Sequence, residues 1–258
     1  MSRFLALDAG NSSVKVAVWD GAAWSRVAVF PHDADAGTWA ERIGRIARAG
    51  VASGIASVVP AYAEAIMSGV ESATGAAPVR VSATLRLPFA MAYRTPETLG
   101  ADRIAAAAAA WHLGGGRPVI ALDAGTAVTV DAVDVRGGRP VYLGGAIAPG
   151  PDLLAASLAR GTGALPHVPF GGPTLPVGDS TVEAIRTGVA GMLVGGVVRL
   201  LAETAVALSA PPVVVATGGV AAWLVAHGVS VDHVAPTLVL DGIRLLCATG
   251  AAVPSRRG

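Results

Sequence analysis

A single pentapeptide occurs twice in this chain and constrains its fold more than any other feature. Residues 6–10 and 121–125 both read Ala-Leu-Asp-Ala-Gly, and each copy ends one apolar run and precedes another. Two apolar runs joined by an acidic, glycine-containing turn are typical of a β-hairpin. The repeat therefore predicts two hairpins of the same kind, and with them two related halves of the chain.

Composition limits the class of protein. Hydrophobic residues make up 53% and charged residues 14% of the 258 residues, as in a well-buried globular protein. The formal net charge of +1 predicts neither a nucleic-acid-binding surface nor a polybasic membrane patch. Asp8 interrupts the only apolar start, which is unlike a secretory signal, and the apolar run at 188–198 is too short to span a bilayer. We therefore expect a cytoplasmic protein that binds neither nucleic acid nor a membrane.

The common metal and nucleotide motifs are absent from the sequence. Cys247 is the only cysteine, which excludes an intramolecular disulfide and a cysteine-based metal cluster. The five histidines are far apart, with no pair at metal-ligand spacing. Lys15 is the only lysine and does not follow a glycine, so the chain has no P-loop, and no G-x-G-x-x-G follows the first apolar run. Any nucleotide site must be of another kind.

Each repeated hairpin lies in a longer pattern of strands and helices. The first half predicts a three-strand meander over 4–30, a helix over 37–49, and then strand, helix and strand. After a Gly- and Pro-containing break at 114–118, a second meander is predicted over 119–147, followed by helices and one further strand. This pattern favours an α/β protein whose two related domains each contain a mixed sheet, a β-meander and flanking helices. The predicted domains are 1–115 and 116–258.

The two predicted turns carry groups that bind phosphate. Glycine lets the backbone approach a ligand, backbone N–H groups and short polar side chains donate hydrogen bonds, and an aspartate can hold a cation nearby. The first turn offers Gly10, Asn11 and Ser12, with Lys15 just beyond it. An ordinary hairpin turn uses the same residue types, but the second copy and the lysine favour phosphate binding.

Five motifs occur in order along the chain. They are Asp8-Ala-Gly-Asn-Ser-x-x-Lys15, Gly100-Ala-Asp-Arg103, Asp123-Ala-Gly-Thr-Ala-x-Thr-x-Asp131, Gly144-Gly-x-Ile-x-Pro-Gly150 and Thr217-Gly-Gly219. Each motif alone is weakly specific, but together they resemble the type III pantothenate kinases over nearly the whole chain. The resemblance implies ribonuclease H-like (actin-like ATPase) domains of the acetate kinase, sugar kinase, Hsp70 and actin superfamily. It also implies a homodimer that uses ATP to convert pantothenate to 4′-phosphopantothenate, the first step of coenzyme A biosynthesis.

The resemblance also implies a role for individual residues. Asp102 would be the general base for the pantothenate hydroxyl, and Asp123 would hold a potassium or ammonium ion. Thr126 would contact nucleotide phosphate, with Gly218 and Gly219 on the adenosine side. The residues implied to bind ATP and Mg²⁺ in the first loop are Asp8, Ala9, Gly10, Asn11, Ser12, Ser13, Val14 and Lys15. The residues implied to bind pantothenate are Tyr93, Gly100, Ala101, Asp102, Arg103 and Thr181.

Structural explanations compete with several of these roles. Asp102 could serve only as a helix-start residue, Arg103 as half of a surface ion pair, and Tyr93 as a half-buried aromatic. Because a helix N-terminus lowers the pKa of a carboxyl group, we expect Asp102 to be an ionised, weak base whose main role is to orient the alcohol. A structural role for Asp131 is at least as well supported as a ligand contact. For the whole chain, the alternatives are another small-molecule kinase of the superfamily and a non-catalytic regulator on the same fold.

Overall fold

Two units make up the computed structural model, which describes residues 3–248. Unit 1 comprises the chain up to Leu113 together with the segment from Thr237 onward, and unit 2 comprises Gly114–Pro236. The first division therefore lies two residues from the predicted boundary after residue 115 (115 − 113 = 2).

Unit 1 is built on a sheet that begins with the first predicted meander. Helices α1 and α2 pack against each other, and Trp39, Ile43, Ile66 and Val70 form the core with the buried face of the sheet. Its elements up to residue 114 are β1 (Phe4–Ala9), β2 (Val14–Trp19), β3 (Trp24–Phe30), α1 (Ala36–Gly44), β4 (Ala52–Ser57), α2 (Pro60–Thr74), β5 (Val79–Arg80), β6 (Ala90–Met91), a 3-10 turn (Pro96–Thr98) and α3 (Ala101–Gly114).

Unit 2 repeats this plan. Its core lies between the sheet and two helices, which contribute Leu193, Val197, Leu201 and Leu224. The elements are β7 (Val119–Ala124), β8 (Ala127–Arg136), β9 (Arg139–Pro149), α4 (Pro151–Gly161), α5 (Thr181–Val206), β10 (Val213–Thr217), α6 (Ala221–Ala226) and β11 (His233–Val234), after which α7 (Leu238–Ala248) returns to unit 1.

The two sheets share one topology. In unit 1 the strands lie in the order β3-β2-β1-β4-β5, and in unit 2 the corresponding order is β9-β8-β7-β10-β11. In unit 1, β1 is antiparallel to β2 and parallel to β4. In unit 2, β7 is antiparallel to β8 and parallel to β10. The prediction of two related domains with mixed sheets is therefore confirmed, and the repeated pentapeptide occupies the same place in both.

Helix α7 belongs to unit 1, although the sequence analysis placed it in the second domain. It packs against β1 and β4, where a Cβ on Gly54 would lie 2.8 Å from the Cys247 side chain. It also crosses α3 so closely that a Cβ on Gly242 would overlap the Ala105 carbonyl oxygen. Dividing the chain into two consecutive segments misses this arrangement, because the last helix of unit 1 follows all of unit 2 in the sequence.

Helix α1 is shorter than expected, and α5 is a long helix with a capped N-terminus. Helix α1 ends at Gly44 and not near residue 49, because the chain turns there and places Ala47 in the core. In α5, Ser180 and Glu183 form a capping pair, with Ser180 Oγ accepting from the Glu183 backbone N–H at 3.4 Å. By length and composition α5 is also the one helix within residues 3–248 that could cross a membrane, a test that core helices of soluble proteins also pass.

Candidate active site

The first hairpin joins β1 to β2 through residues 10–13. Asp8 lies directly opposite Lys15 in the antiparallel register, so the carboxylate and the only lysine share one face of the sheet. The Gly10 N–H donates to the Ser13 carbonyl at 3.1 Å and closes the turn. Ala9 and Val14 are buried and anchor the turn, whereas Asn11 and Ser12 are exposed at its tip. The turn therefore presents short polar groups beside a cation.

The second hairpin joins β7 to β8 and has the same burial pattern along its first strand. Asp123 is half-buried, as is Asp8, but the residue opposite Asp123 is Thr129. The Gly125 N–H donates to the Ala127 carbonyl at 3.0 Å, and Thr126 is exposed at the tip. This turn thus has the same carboxylate without a lysine across the strand.

Glycines from two other strand ends lie against the second hairpin. Gly218 has a φ of +91°, and a Cβ there would lie 2.5 Å from Asp123 Oδ1. Gly150 belongs to one of the sequence motifs but was given no predicted role. It donates its N–H to the Thr126 carbonyl at 3.0 Å. A Cβ on Gly219 would meet nothing within 4 Å, so this glycine leaves open space. The structure thus brings Asp123, Thr126 and Gly218 together within unit 2.

Asp102 lies in the first turn of α3, where the Gly100 carbonyl begins the helix by accepting from the Ile104 N–H at 3.1 Å. One carboxylate oxygen accepts from the Arg103 N–H at 2.8 Å. The same oxygen would lie 2.5 Å from a Cβ on Gly100, so only glycine leaves room for this orientation. Gly100 therefore leaves the space that this orientation of the Asp102 carboxylate occupies.

The pKa expected for Asp102 was wrong in direction. Desolvation by burial raises the pKa of this carboxyl above 3.8, and outweighs the Arg103 backbone hydrogen bond and the Arg103 charge, which lower it. The helix N-terminus was visible in the sequence, but the burial of its first turn was not. A raised pKa makes Asp102 a stronger base than the sequence implied.

Arg103 and Tyr93 form the neighbouring part of the site. The Arg103 side chain is only 6% exposed, and its guanidinium carbon lies 5.9 Å from the centroid of the half-buried Tyr93 ring. This arrangement differs from the surface ion pair that was the structural alternative for Arg103. Tyr93, Gly100, Asp102 and Arg103 are therefore grouped within unit 1.

A cavity of about 750 Å³ connects the start of α3 with the carboxyl end of β4. Gly100 and Ala101 line one side of it, and Ser57 and Val58 line another. The Val58 N–H donates to the Ala9 carbonyl at 3.1 Å, so this wall adjoins the first hairpin. A small molecule in the cavity would lie next to the helix that carries Asp102.

Three further side chains complete the comparison with the sequence. Thr181 is exposed at the first position of α5 in unit 2. Asp131 accepts a hydrogen bond at 2.5 Å from the Tyr142 hydroxyl, and both side chains are buried, which gives Asp131 a structural role. His32 was missed: its Nε2 lies 2.8 Å from the Gly10 carbonyl oxygen of the first hairpin. No sequence signal links two residues so far apart along the chain.

The arrangement fits a loosely held divalent cation better than a caged one. Within residues 3–248 no three His, Cys, Asp or Glu side chains are grouped to hold a metal. Mg²⁺ commonly takes only one or two carboxylates and obtains its other ligands from phosphate oxygens and water. A single half-buried carboxylate beside an exposed polar turn, as at Asp8, matches that donor set.

Comparison with known proteins identifies the family. A family model described as type III pantothenate kinase matches residues 4–203. The type III pantothenate kinase of Acidiphilium cryptum is 36% identical over 260 residues, which cover 96% of this chain and 95% of that protein. The chain belongs to the type III pantothenate kinase family. The type III pantothenate kinase of Chlorobaculum parvum is 40% identical over 197 residues, covering 74% of this chain and 72% of the relative.

Solved structures support the fold expected of a type III pantothenate kinase. A Campylobacter jejuni protein assigned to the Baf family of transcriptional activators matches with a TM-score of 0.56 and 17% identity, covering 94% of this chain and 96% of that one. A ROK family glucokinase from Streptomyces griseus matches with a TM-score of 0.51 and 15% identity, covering 96% and 100%. At these identities the similarity shows the fold alone, and it confirms the predicted actin-like architecture.

Proposed function

We propose that this chain transfers the γ-phosphate of ATP to the primary hydroxyl of pantothenate, giving 4′-phosphopantothenate for coenzyme A biosynthesis. Membership of the type III pantothenate kinase family supports this activity. The observation that carries the residue assignment is the placement of Asp102, a partly buried carboxylate held over Gly100 beside a cavity. No comparable observation favours a non-catalytic regulator.

Asp102 acts on the acceptor in this proposal. The carboxylate orients the pantothenate hydroxyl, whose oxygen bonds to the γ-phosphorus while the bond from that phosphorus to the β,γ-bridging oxygen breaks and ADP leaves. The hydroxyl proton passes to Asp102. Phosphoryl transfer has a loose transition state and demands accurate positioning more than base strength. The raised pKa of Asp102 assists the final proton transfer.

The two hairpins bind nucleotide phosphate in this proposal. In the first, Lys15 and the exposed tip of the turn supply positive charge and hydrogen-bond donors. A divalent cation would be held beside Asp8, where it neutralises charge on the transferred phosphate. In the second, Thr126 contacts phosphate, and Gly218 and Gly219 lie on the adenosine side, with open space at Gly219.

The second hairpin uses a monovalent cation, potassium or ammonium, at Asp123. A phosphate beside this carboxylate would place two negative charges together, and no lysine lies across the strand to offset them. A bound monovalent ion would offset part of this negative charge, as Lys15 does at the first hairpin.

Pantothenate contacts the residues grouped around Asp102, with the planar Arg103 guanidinium suited to its carboxylate. A coupled ADP-release assay with pantothenate and a panel of other alcohols and sugars tests the proposal. We expect turnover with pantothenate and little with the others. Turnover with a sugar but not with pantothenate would assign the chain to a different reaction.

A cytoplasmic homodimer accounts for the surface of α5. This helix exposes Met192 and Val198, at 69% and 47%, and a Cβ on Gly195 would meet nothing within 4 Å. Apolar surface of this kind is stable in water when a second subunit covers it. Thr181 heads the same helix, so we place the pairing surface and part of the pantothenate site on one element.

Gly195→Arg tests the dimer. The substitution has space within the protomer but buries an unpaired charge in the proposed interface, which costs several kcal/mol of association. We expect a monomer by light scattering, with weakened pantothenate binding and retained nucleotide binding by calorimetry. A monomeric variant that phosphorylates pantothenate normally would show that the site lies within one chain.

A further inference from the structure

His32 lies against the turn of the first hairpin and is held there from two sides. Its Nε2 is 2.8 Å from the Gly10 carbonyl oxygen. Its ring stacks on Tyr62 in the first turn of α2, with centroids 4.8 Å apart and an interplanar angle of 15°. Because a carbonyl oxygen only accepts, Nε2 carries the proton and donates it. Nδ1 is buried and has no hydrogen-bond partner within the described residues 3–248, so the imidazole makes its one hydrogen bond to Gly10.

This hydrogen bond fixes the direction of the next backbone donor. The chain has no cis peptide among the described residues, so the Gly10 C=O and the Asn11 N–H point in opposite directions across one planar peptide group. With the carbonyl directed at His32, the Asn11 N–H is directed away from it. The Gly10 N–H is already bonded to Ser13, and the Ala9 carbonyl to the Val58 N–H. The bond from His32 to the Gly10 carbonyl is thus the third hydrogen bond that holds the turn backbone.

The second hairpin fixes its turn from the equivalent position by other means. In the first meander Val14 pairs with Phe30, and His32 follows two residues later after Pro31. In the second, Val128 pairs with Ala148, and Gly150 follows two residues later after Pro149. There the Gly150 backbone N–H donates to the Thr126 carbonyl at 3.0 Å. The same position restrains a turn carbonyl in both units, by a side chain in one and by backbone in the other.

We propose that His32 is a positioning residue of the first phosphate loop, which keeps the Asn11 N–H aimed at a nucleotide phosphate. This inference rests on the proposed role of that loop in ATP binding. Without the imidazole donor the Gly10–Asn11 peptide group can rotate, and part of the binding energy is then spent on ordering the turn. The expected consequence is weaker nucleotide binding with little change in pantothenate binding.

His32→Phe and His32→Gln separate positioning from packing. His32→Phe keeps an aromatic ring against Tyr62 but removes the donor, whereas His32→Gln retains an amide N–H at similar reach. We expect the KM for ATP to rise about tenfold in His32→Phe, the usual effect of one lost hydrogen bond. The KM for pantothenate should stay within about twofold, and His32→Gln should recover most of the loss. His167→Phe, at an exposed loop residue, is the matched control and should behave as wild type.

Calorimetry with a non-hydrolysable ATP analogue makes the result independent of the reaction catalysed. If the wild-type chain fails to phosphorylate pantothenate, the proposed function is wrong, and the analogue affinities of wild type and His32→Phe still decide the role of His32. Equal affinities would overturn the positioning role. So would a His32→Phe variant in which both KM values rise and the melting temperature falls, because that pattern indicates a packing residue.

Discussion

The two hairpins have the same five residues and the same fold but differ in how charge and space are arranged around them. Asp8 faces Lys15 across the strand pair, whereas Asp123 faces Thr129. A Cβ on Gly10 or on its counterpart Gly125 would make only ordinary contacts, at 3.7 Å and 3.9 Å, but Gly218 at the end of β10 lies against the second hairpin, where a Cβ would press on Asp123. The first hairpin therefore has a lysine opposite its aspartate, whereas the second has a threonine there and a glycine packed against the carboxylate. The backbone plan is therefore the same in both units, while the groups around each aspartate differ.

Asp102 lies outside both hairpins, so its substitution shows whether nucleotide binding and phosphoryl transfer depend on different residues. We expect Asp102→Asn to lower kcat by about a hundredfold or more, the range for loss of a general base, with nucleotide affinity nearly unchanged. Steady-state kinetics and calorimetry measure the two effects. Turnover that survives would leave Asp102 as a helix-start residue only.

The same variant carries a stability prediction. Burial raises the pKa of Asp102 in the folded protein above 3.8, so the folded state favours the protonated form. The contribution of this group to stability is greatest below the ordinary carboxyl pKa and is lost as the pH rises through the raised value. The amide of Asp102→Asn does not titrate, so the variant does not lose this stability as the pH rises. The melting temperature of the variant minus that of wild type should therefore increase from about pH 4 to about pH 7. A relative decrease over this range would contradict the direction of the pKa shift.

Gly218, which lies against the second hairpin, and Gly10, which lies in the first, compare packed with open surroundings. Gly218→Ala combines a φ of +91° with a Cβ that would overlap the Ala124 carbonyl oxygen, and should lower the free energy of unfolding by about 3 kcal/mol. Gly10→Ala should leave stability nearly unchanged and weaken nucleotide binding, because the methyl group would occupy the space that we propose for phosphate. Denaturant unfolding and calorimetry measure the two quantities. Equal stability losses would show that the two glycines are packed alike.

Local and repeated features were predictable from the sequence, and long-range ones were not. The pentapeptide and its flanking apolar runs predicted meanders over 4–30 and 119–147, where the structure has β1 to β3 and β7 to β9, because hairpins and apolar alternation are local signals. The place of α7 in unit 1 depends on contacts with β4 and α3, which no local pattern encodes. The end of α1 at Gly44 was likewise decided by core packing of Ala47.

The candidate site shows the same limit. Resemblance supplied Asp8, Asp102 and Asp123, and these assignments stay predictions until they are tested. The raised pKa of Asp102 follows from burial, which sequence does not give. His32 reaches Gly10 through space from the end of another strand, and its equivalence with Gly150 is visible only once both registers are known.

The direct test of the comparison is the monovalent-cation dependence of pantothenate phosphorylation in wild type and in Thr129→Lys. That substitution places an ammonium opposite Asp123, as Lys15 lies opposite Asp8. Thr129→Met, of similar length but uncharged, is the control. We expect wild type and Thr129→Met to be about tenfold faster with potassium or ammonium than with sodium, ~1.4 kcal/mol, and Thr129→Lys to lose most of this dependence. Equal wild-type rates in sodium and potassium would contradict the account, because the second hairpin would then need no cation.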